Sequence, residues 1–373
     1  MKITNYKEYT IMADTINFTR GVPAIESFPL TDIVEAAKQA LEKHGTVIMQ
    51  YGKSTGFLPL REWLADWYQV SVDQTLISNG SLQLIEFFGF HFITPGDVVF
   101  TEAPSYDRTI TLLKRHQAKV VGIPLEADGP NIDALEQALA AHTPKFFYII
   151  PDFQNPSGAT CSLEKRKKLV SLAEKHNFWL IEDAPYRPLR YRGQAHPTLF
   201  ELCPQRTFHM LSFSKLIGPG PRIGILYGNV EVLKRIMKIA EDTYVTPSLL
   251  SQGIIYEYCR SGKLPAQIEK LKALYAPRLQ ACLKALDTYL PDAQITRPEG
   301  GFFLSVTLPE GTTTAKVLER AKAHHLNLAD GEAFFPQGGG ERFLRLPYCA
   351  LTPEEIDDGI QRLAATVKEV QTS

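Results

Sequence analysis

The stretch from Lys145 to Asp183 reads KFFYIIPDFQNPSGATCSLEKRKKLVSLAEKHNFWLIED. It begins and ends with short apolar runs, 145–151 and 178–183, whose lengths are typical of buried strands. Between them, 162–177 opens with a serine at an N-cap position, has a glutamate in its first turn and repeats apolar residues at helical spacing. Strand, helix and strand in this order predict an α/β fold with a parallel sheet.

The alternation continues towards the amino terminus and changes near the carboxyl terminus. Further apolar runs at 97–102 and 119–125 are typical of buried strands, whereas a long helical pattern at 263–290 precedes two separate apolar runs. We expect an α/β fold with a large domain, in which a mostly parallel sheet lies between helices, plus a smaller α+β domain built from both termini. The predicted boundaries are 1–45 for the amino-terminal arm and part of the small domain, 46–260 for the large domain and 261–373 for the small domain.

The composition of the 373 residues excludes several classes of protein. Forty basic and 41 acidic residues give a net charge of −1, so we expect neither nucleic acid nor a membrane surface as a partner. The five cysteines are scattered without CxxC spacing, which argues against a metal site or a disulfide framework and favours the cytoplasm. The sequence shows no signal-peptide core and no membrane-spanning run, so we expect no secretion.

A lysine near the middle of the chain has neighbours that suit an anion. In SFSKLIGPGPRIG, 212–224, Lys215 follows Ser212 and Ser214 and precedes a glycine-proline loop that ends at Arg222. Glycine lets the backbone approach a ligand, and the arginine fork suits phosphate. The stretch predicts an anion cradle beside an amine, although a lone lysine in a loop is more often simply exposed.

Two other regions add polar groups at strand ends. Gly80 and Ser81 lie at a strand-to-helix junction, where helix N–H groups can hold a phosphate, although such a glycine often serves only the turn. Asp183, Tyr186 and Asn155 follow apolar strands, and ligands of α/β sheets bind outside the carboxyl ends of strands. Taken singly, Asp183 could be a loop cap and Asn155 a turn residue.

Together these groups suit pyridoxal phosphate as cofactor. The Lys215 amine would form a Schiff base with its aldehyde, and the Asp183 carboxylate would keep its ring nitrogen protonated.

Eight motifs, in order, then resemble the fold-type I pyridoxal-phosphate enzymes of the class I/II aminotransferase family. They are NFTRGVP, YGKSTGFLPLREWLADW, SNGSLQLIEF, EAPSYDR, DFQNPSG, EDAPYRPLRY, SFSKLIGPGPRIG and FLRLPYC. The sequences of these motifs are most similar to those of the branch of 2-aminoadipate and broad-specificity aminotransferases. The related domain of winged-helix regulators is similar too.

The resemblance implies roles for individual residues. Lys215 would hold the cofactor and move the proton, Asp183 would pair with the ring nitrogen, and Asn155 and Tyr186 would bond the phenolic oxygen. Tyr106 would stack on the ring. The phosphate contacts would be Gly80, Ser81, Ser212, Arg222, nearby Ser214, and Tyr51 from the neighbouring subunit. Leu82 stands where this branch usually has glutamine, so its contact with the phosphate would come from the backbone. Ala184 stands where a second aspartate is common.

The resemblance also implies how substrates bind. Arg345 would bind the substrate α-carboxylate, and Asn155 would also contact the substrate. Arg20 and Gly21 belong to a segment that lies over the substrate in relatives, and Arg20 would pair with a distal carboxylate unless it is only a surface arginine. We expect a homodimer with shared active sites that moves an amino group from an L-amino acid to a 2-oxo acid by ping-pong kinetics. A pyridoxal-phosphate lyase, decarboxylase or oxidase, or a non-catalytic regulatory protein, stays open at this point.

Overall fold

Residues 15–372 are described by a computed structural model. The helices in this part are α1 Leu30–Ile48, α2 Leu58–Tyr68, α3 Ser81–Phe92, α4 Asp107–Arg115, α5 Ile132–Ala141, α6 Leu163–His176, α7 Leu199–Leu202, α8 Val230–Tyr244, α9 Leu249–Arg260, α10 Leu264–Tyr289, α11 Thr314–Ala321 and α12 Pro353–Thr372. Short 3-10 turns lie at Ile25–Ser27, Val72–Gln74, Phe213–Lys215, Lys322–His324 and Glu332–Phe334. Within 15–372, none of the helices combines the length and the apolar character that crossing a membrane requires.

The strands form one large sheet and two small ones. They are β1 Ile16–Phe18, β2 Thr75–Asn79, β3 Val98–Ala103, β4 Lys119–Glu126, β5 Gly129–Pro130, β6 Phe146–Ile149, β7 Trp179–Asp183, β8 Thr207–Ser212, β9 Ile223–Tyr227, β10 Gln294–Ile295, β11 Phe303–Thr307, β12 Leu326–Leu328 and β13 Phe343–Pro347. The large sheet has the order β2-β9-β8-β7-β6-β3-β4-β5. Neighbours from β8 to β4 run parallel, whereas β9 and β5 run antiparallel to their neighbours. This architecture confirms the predicted mostly parallel sheet.

The long buried strands explain the continuous apolar runs of the sequence. Every residue of β6 and β8 is buried, because helices cover both faces of the sheet. Side chains of α3 and α8 share a core with one face, and those of α5 and α6 share a core with the other. The predicted helix at 162–177 is α6, and the Ser162 hydroxyl accepts its capping bond from the Lys165 N–H.

The carboxyl-terminal part has its own core. Strands β10, β11 and β13 form an antiparallel sheet, and β1 pairs in parallel with β12. Apolar side chains of these strands meet α10, α11 and α12 in one buried cluster. Helix α1, however, lies against α9 in a cluster that includes side chains of the large sheet. The domain boundaries given above stay a prediction.

Candidate active site

A cavity of about 540 Å³ lies beside the carboxyl ends of β3, β6, β7 and β8. Most of the predicted site residues line it: Arg20, Gly21, Ser81, Leu82, Tyr106, Asn155, Asp183, Tyr186, Ser212, Ser214, Lys215, Arg222 and Arg345. Two predicted residues do not. Gly80 lies directly beside Arg222, and Tyr51 is 78% exposed, outside the cavity of its own chain. The structure therefore brings together residues that lie far apart in the sequence.

Lys215 enters the cavity from the turn after β8. The Ser212 hydroxyl accepts a hydrogen bond of 3.1 Å from the Ser214 N–H and so fixes the start of this turn. The lysine Nζ donates a 3.1 Å bond to the Gly21 carbonyl oxygen. Loss of hydration inside the protein lowers the pKa of Lys215. A larger fraction of this amine than of an exposed lysine is therefore neutral and able to act as a nucleophile or base.

Asp183, at the end of β7, has one carboxylate oxygen bound and one free. The Tyr148 hydroxyl donates a bond of 2.6 Å to its Oδ2 atom. The Oδ1 atom is buried and has no hydrogen-bond partner among residues 15–372. Burial raises the pKa of Asp183 to about 6. Because buried acceptors are normally paired, Oδ1 is suited to a donor that arrives with a ligand.

Arg222 and the start of α3 form a positively polarised end of the cavity. Gly80 precedes α3 with φ 95°, and a Cβ there would lie 2.1 Å from Nη2 of Arg222. Arg222 itself has φ 56°, an uncommon left-handed conformation for a side chain of this size. Among residues 15–372, its Nη2 makes only a long contact of 3.4 Å, to the Asn79 carbonyl oxygen. The guanidinium therefore lies at a helix amino terminus with donors to spare, which suits a phosphate.

Arg345 is held between two aromatic rings. Its guanidinium carbon lies 5.0 Å from the ring centroid of Phe303 and 4.7 Å from that of Phe334. One terminal nitrogen donates to Asn155 Oδ1 at 3.0 Å and the other to the Thr19 carbonyl at 2.7 Å. The Nε atom is buried without a partner among the described residues. Rings and hydrogen bonds together fix the plane of a group that binds carboxylates through two parallel bonds.

Two tyrosines complete the walls of the cavity. The Tyr186 ring meets the edge of Phe303 at 5.7 Å and 88° and is buried. Tyr106 is half-buried immediately before α4. Burial raises the pKa of both tyrosines, so their hydroxyls remain protonated and can donate hydrogen bonds.

The segment from Thr19 to Val22 lines the cavity, and its backbone carbonyls hold side chains of the site. Its carbonyls accept bonds from Arg345, Lys215 and the Cys349 thiol. A Cβ on Gly21 would lie 2.2 Å from Cζ of Phe303, so only glycine fits without a shift. The Arg20 side chain is exposed and lines the cavity.

Comparison with known proteins identifies the family. The model of aminotransferase class I and II matches residues 13–363. The chain belongs to this family. It is 36% identical to aromatic-amino-acid aminotransferase 1 of Thermococcus litoralis, across 96% of this chain and 89% of that protein. It is 34% identical to 2-aminoadipate transaminase of Thermus thermophilus, across 95% and 90% respectively.

A solved aminotransferase has the same fold throughout. It is an α-aminoadipate aminotransferase of Thermus thermophilus, in complex with N-(5'-phosphopyridoxyl)-L-leucine. The TM-score is 0.92 at 32% identity, and the match covers 97% of this chain and 94% of that one. Fold and family together make the chain a pyridoxal-phosphate-dependent aminotransferase.

The cavity of this aminotransferase fits the cofactor. Asp183 offers an unpaired acceptor for the ring nitrogen, Lys215 an amine for the aldehyde, and Arg222 beside α3 a cation for the phosphate. Each of the three lines the same cavity. The contact of each residue with the cofactor stays a prediction.

Sequence reasoning missed several residues of the site. Asp107 and Arg108 line the cavity and lie within the quoted motif EAPSYDR, so a signal for them was present. Phe303 and Phe334 carry no motif, since their role arises only from their positions around Arg345. Tyr148 lies within the apolar run of β6, where an aromatic side chain is typical of the core.

Proposed function

We propose that Lys215 is the catalytic lysine of this aminotransferase and that Asp183 and Arg345 act with it in the same cavity. The observation that carries the proposal is the lysine amine of lowered pKa in a cavity shared with an unpaired carboxylate oxygen and a fixed guanidinium. Pyridoxal phosphate, when bound, supplies an aldehyde that condenses with amines and a ring that takes up electrons from the substrate α-carbon.

The residues of the chain bind, orient and move the proton. Neutral Lys215 takes the proton from the α-carbon onto Nζ and later returns it. Arg345 holds the α-carboxylate and so directs the α-hydrogen towards the lysine. The Asp183 carboxylate keeps a proton on the ring nitrogen. An amino acid and a 2-oxo acid use this cavity in turn, which gives ping-pong kinetics.

The remaining site residues hold the cofactor. We assign the phosphate to Gly80, Ser81, the Leu82 N–H, Ser212, Ser214 and Arg222, the phenolic oxygen to Asn155 and Tyr186, and the ring face to Tyr106. All of these residues except Gly80 line the common cavity, and Gly80 lies next to the Arg222 guanidinium.

Product analysis tests the reaction. Purified holoenzyme is given about twenty amino acids as donors, with 2-oxoglutarate, pyruvate or no oxo acid. Transamination gives one 2-oxo acid product for each new amino acid and stops without an acceptor. Turnover that continues without an acceptor and releases carbon dioxide or ammonia would instead show a lyase, decarboxylase or oxidase.

Arg20 is our candidate for the choice of substrate. Its charged side chain lines the cavity together with Arg345, and one relative is a 2-aminoadipate transaminase. We propose that Arg20 pairs with the distal carboxylate of an acidic amino acid such as glutamate or 2-aminoadipate.

The ratio of kcat/KM for glutamate to that for phenylalanine tests this role. Arg20→Ala should lower the ratio by about 10- to 100-fold, the value of a hydrogen bond to a charged group. Arg108→Ala removes another exposed guanidinium from the same cavity and should leave the ratio largely unchanged. An unchanged ratio in Arg20→Ala would make Arg20 a surface arginine.

We further propose a cytoplasmic homodimer with shared active sites. Large apolar side chains are exposed on and around α1: Ile25, Leu30, Val34, Leu41, Val47, Met49 and Tyr51. Such a patch is typical of a protein interface.

All five cysteines are free thiols, which supports a reducing compartment such as the cytoplasm.

A further inference from the structure

Tyr148 lies in the sheet below the cavity, on the same face as Asp183. It stands on β6 opposite Ile181 of β7, two residues before Asp183. Because side chains alternate along a strand, Ile181 and Asp183 point to one face of the sheet. Tyr148 is fully buried, and its hydroxyl reaches Oδ2 of Asp183 at 2.6 Å. The tyrosine thus reaches Asp183 from the protein interior and not from the cavity.

The two oxygens of Asp183 have different surroundings. Oδ2 accepts the Tyr148 bond, and Oδ1 is buried without a partner among residues 15–372. The bond at Oδ2 and the burial of the carboxylate together restrict its rotation and so the direction of Oδ1. Asp183 lines the cavity, where that oxygen can accept one bond from a ligand.

The surroundings of Asp183 offer few other groups that stabilise its charge. Burial raises the pKa of Asp183 to about 6. The hydrogen bond from Tyr148 acts in the opposite direction and lowers this pKa, as do the nearby His209 and Lys215. Glu102, another buried carboxyl near Asp183, has its pKa raised by burial to about 8 and is therefore mostly neutral at pH 7. His209 on β8 is itself paired with Glu182 at 2.7 Å.

The nearby phenols are donors. Burial raises the pKa of Tyr148, so its hydroxyl stays protonated and donates to the carboxylate. Tyr106 and Tyr186 also face Asp183, and burial raises their pKa values as well. Between Asp183 and a ligand base, the position of a shared proton therefore depends on how well the Tyr148 bond stabilises the ionised carboxylate.

We propose that Tyr148 is a positioning residue of the reaction: its hydroxyl keeps Asp183 ionised and directed into the cavity, so that the proton between Asp183 and the cofactor stays on the ring nitrogen. Without this hydroxyl, the proton would move from nitrogen to the carboxylate, and the pair would become neutral. The inference rests on the proposed role of Asp183. It adds a residue outside the cavity that sets the electron-withdrawing strength of the ring.

Holoenzyme with ¹⁵N-labelled pyridoxal phosphate provides a test that does not depend on activity. The ¹⁵N chemical shift of the ring nitrogen distinguishes a protonated from a neutral ring, and it is followed as pH is raised. The wild-type signal should stay at the protonated position across the neutral range. In Tyr148→Phe the signal should move towards the neutral position. The dissociation constant of the cofactor should rise about 10- to 100-fold.

A matched control removes a hydroxyl of equal burial elsewhere. Tyr348 is also fully buried, and its hydroxyl donates to the carbonyls of Gly300 and Gly301 at 3.0 and 2.8 Å. Tyr348→Phe should keep the wild-type ring signal, because its acceptors are neutral carbonyls. Tyr148→Phe keeps the buried ring and removes only the hydroxyl, so it leaves no large cavity in the core around β6.

The Asp183→Asn variant separates the two parts of the inference. Asp183→Asn should give a neutral ring, and adding Tyr148→Phe to it should change the signal no further. A wild-type signal in Tyr148→Phe, with an altered one in Asp183→Asn, would overturn the role of Tyr148 alone. A wild-type signal in Asp183→Asn would overturn the role of Asp183 and, with it, this inference.

Discussion

The Nζ atom of Lys215 donates a hydrogen bond of 3.1 Å to the carbonyl oxygen of Gly21. Two residues earlier, the Thr19 carbonyl accepts a 2.7 Å bond from Arg345. One short segment thus contacts both the amine assigned to the cofactor and the guanidinium assigned to the substrate. When a ligand takes either donor, the corresponding bond must be exchanged, so the position of this segment and the binding of ligands are linked.

Lys215 should be the residue that carries the cofactor. Reduction of the holoenzyme with borohydride should attach the cofactor covalently to the peptide that contains Lys215, as found by mass spectrometry after digestion. Lys215→Ala should abolish this attachment, because its neutral amine is lost. Lys368→Ala, an exposed lysine of α12, serves as the control. Recovery of the cofactor on another lysine in Lys215→Ala would contradict the assignment.

Gly21→Ala should weaken substrate binding. The added Cβ would lie 2.2 Å from Cζ of Phe303, a ring that also holds Arg345, so the segment or the ring must shift. Overpacking of this kind costs about 1–3 kcal/mol, and we expect KM for the amino donor to rise about tenfold. Steady-state kinetics measure the effect. Gly45→Ala in α1, where a Cβ would meet no described residue within 4 Å, should leave KM unchanged. Equal KM values for the two variants would show that the segment adapts without cost.

Glu102 should make stability depend on pH. Burial raises its pKa from 4.5 to about 8, so between these values the folded state binds more protons than the unfolded state. Its contribution is complete below pH 4.5 and is lost as pH rises to about 8, at no more than about 1.4 kcal/mol per pH unit. Glu102→Gln keeps an acceptor for the Ile150 and Gln154 donors but cannot ionise.

Urea unfolding at several pH values measures this dependence. The midpoint of Glu102→Gln should fall less than that of the wild type between pH 5 and pH 8 and should lie above it at pH 8. Glu319→Gln, at an exposed position of α11, should follow the wild type. Parallel curves for all three proteins would mean that Glu102 ionises normally in the fold.

Local sequence signals predicted four strands of the large sheet and the polar residues at strand ends, whereas Tyr106, Arg345, Arg20 and Gly21 were implied by the family resemblance. The apolar runs of β3, β6 and β7 are continuous because these strands are covered on both faces, and that property is visible in the chain itself. Motif residues such as Lys215 and Asp183 follow strand ends, and strand ends in one sheet meet.

The supporting residues could not be predicted in the same way. Tyr148 is one aromatic in the apolar run KFFYIIP, and only the register between β6 and β7 places its hydroxyl at Asp183. Phe303 and Phe334 enclose Arg345 from β11 and from a 3-10 turn, and no spacing in the sequence relates the three. These roles depend on tertiary contacts, which local patterns do not encode.

The last prediction concerns Tyr51 and the proposed dimer. Its side chain is 78% exposed and lies outside the cavity of its own chain, next to the apolar residues on and around α1. If two copies associate about a two-fold axis, a Tyr51 that reaches the partner's cavity does so twice. Each active site would then combine Lys215 of one chain with Tyr51 of the other.

Mixed dimers of Lys215→Ala and Tyr51→Ala chains distinguish a shared from a private site. In each mixed dimer one site would receive both substitutions and the other neither, so after random pairing about a quarter of all sites should regain full activity. If Tyr51 served its own chain, every site of a mixed dimer would carry one substitution, and no intact site could form. The two variants are mixed, dissociated and reassociated, and mass spectrometry under native conditions confirms the exchange of subunits. Activity that stays at the mean of the two parent variants, despite confirmed exchange, would rule out the shared site, because the only arrangement that restores an intact site joins Lys215 and Tyr51 from different chains.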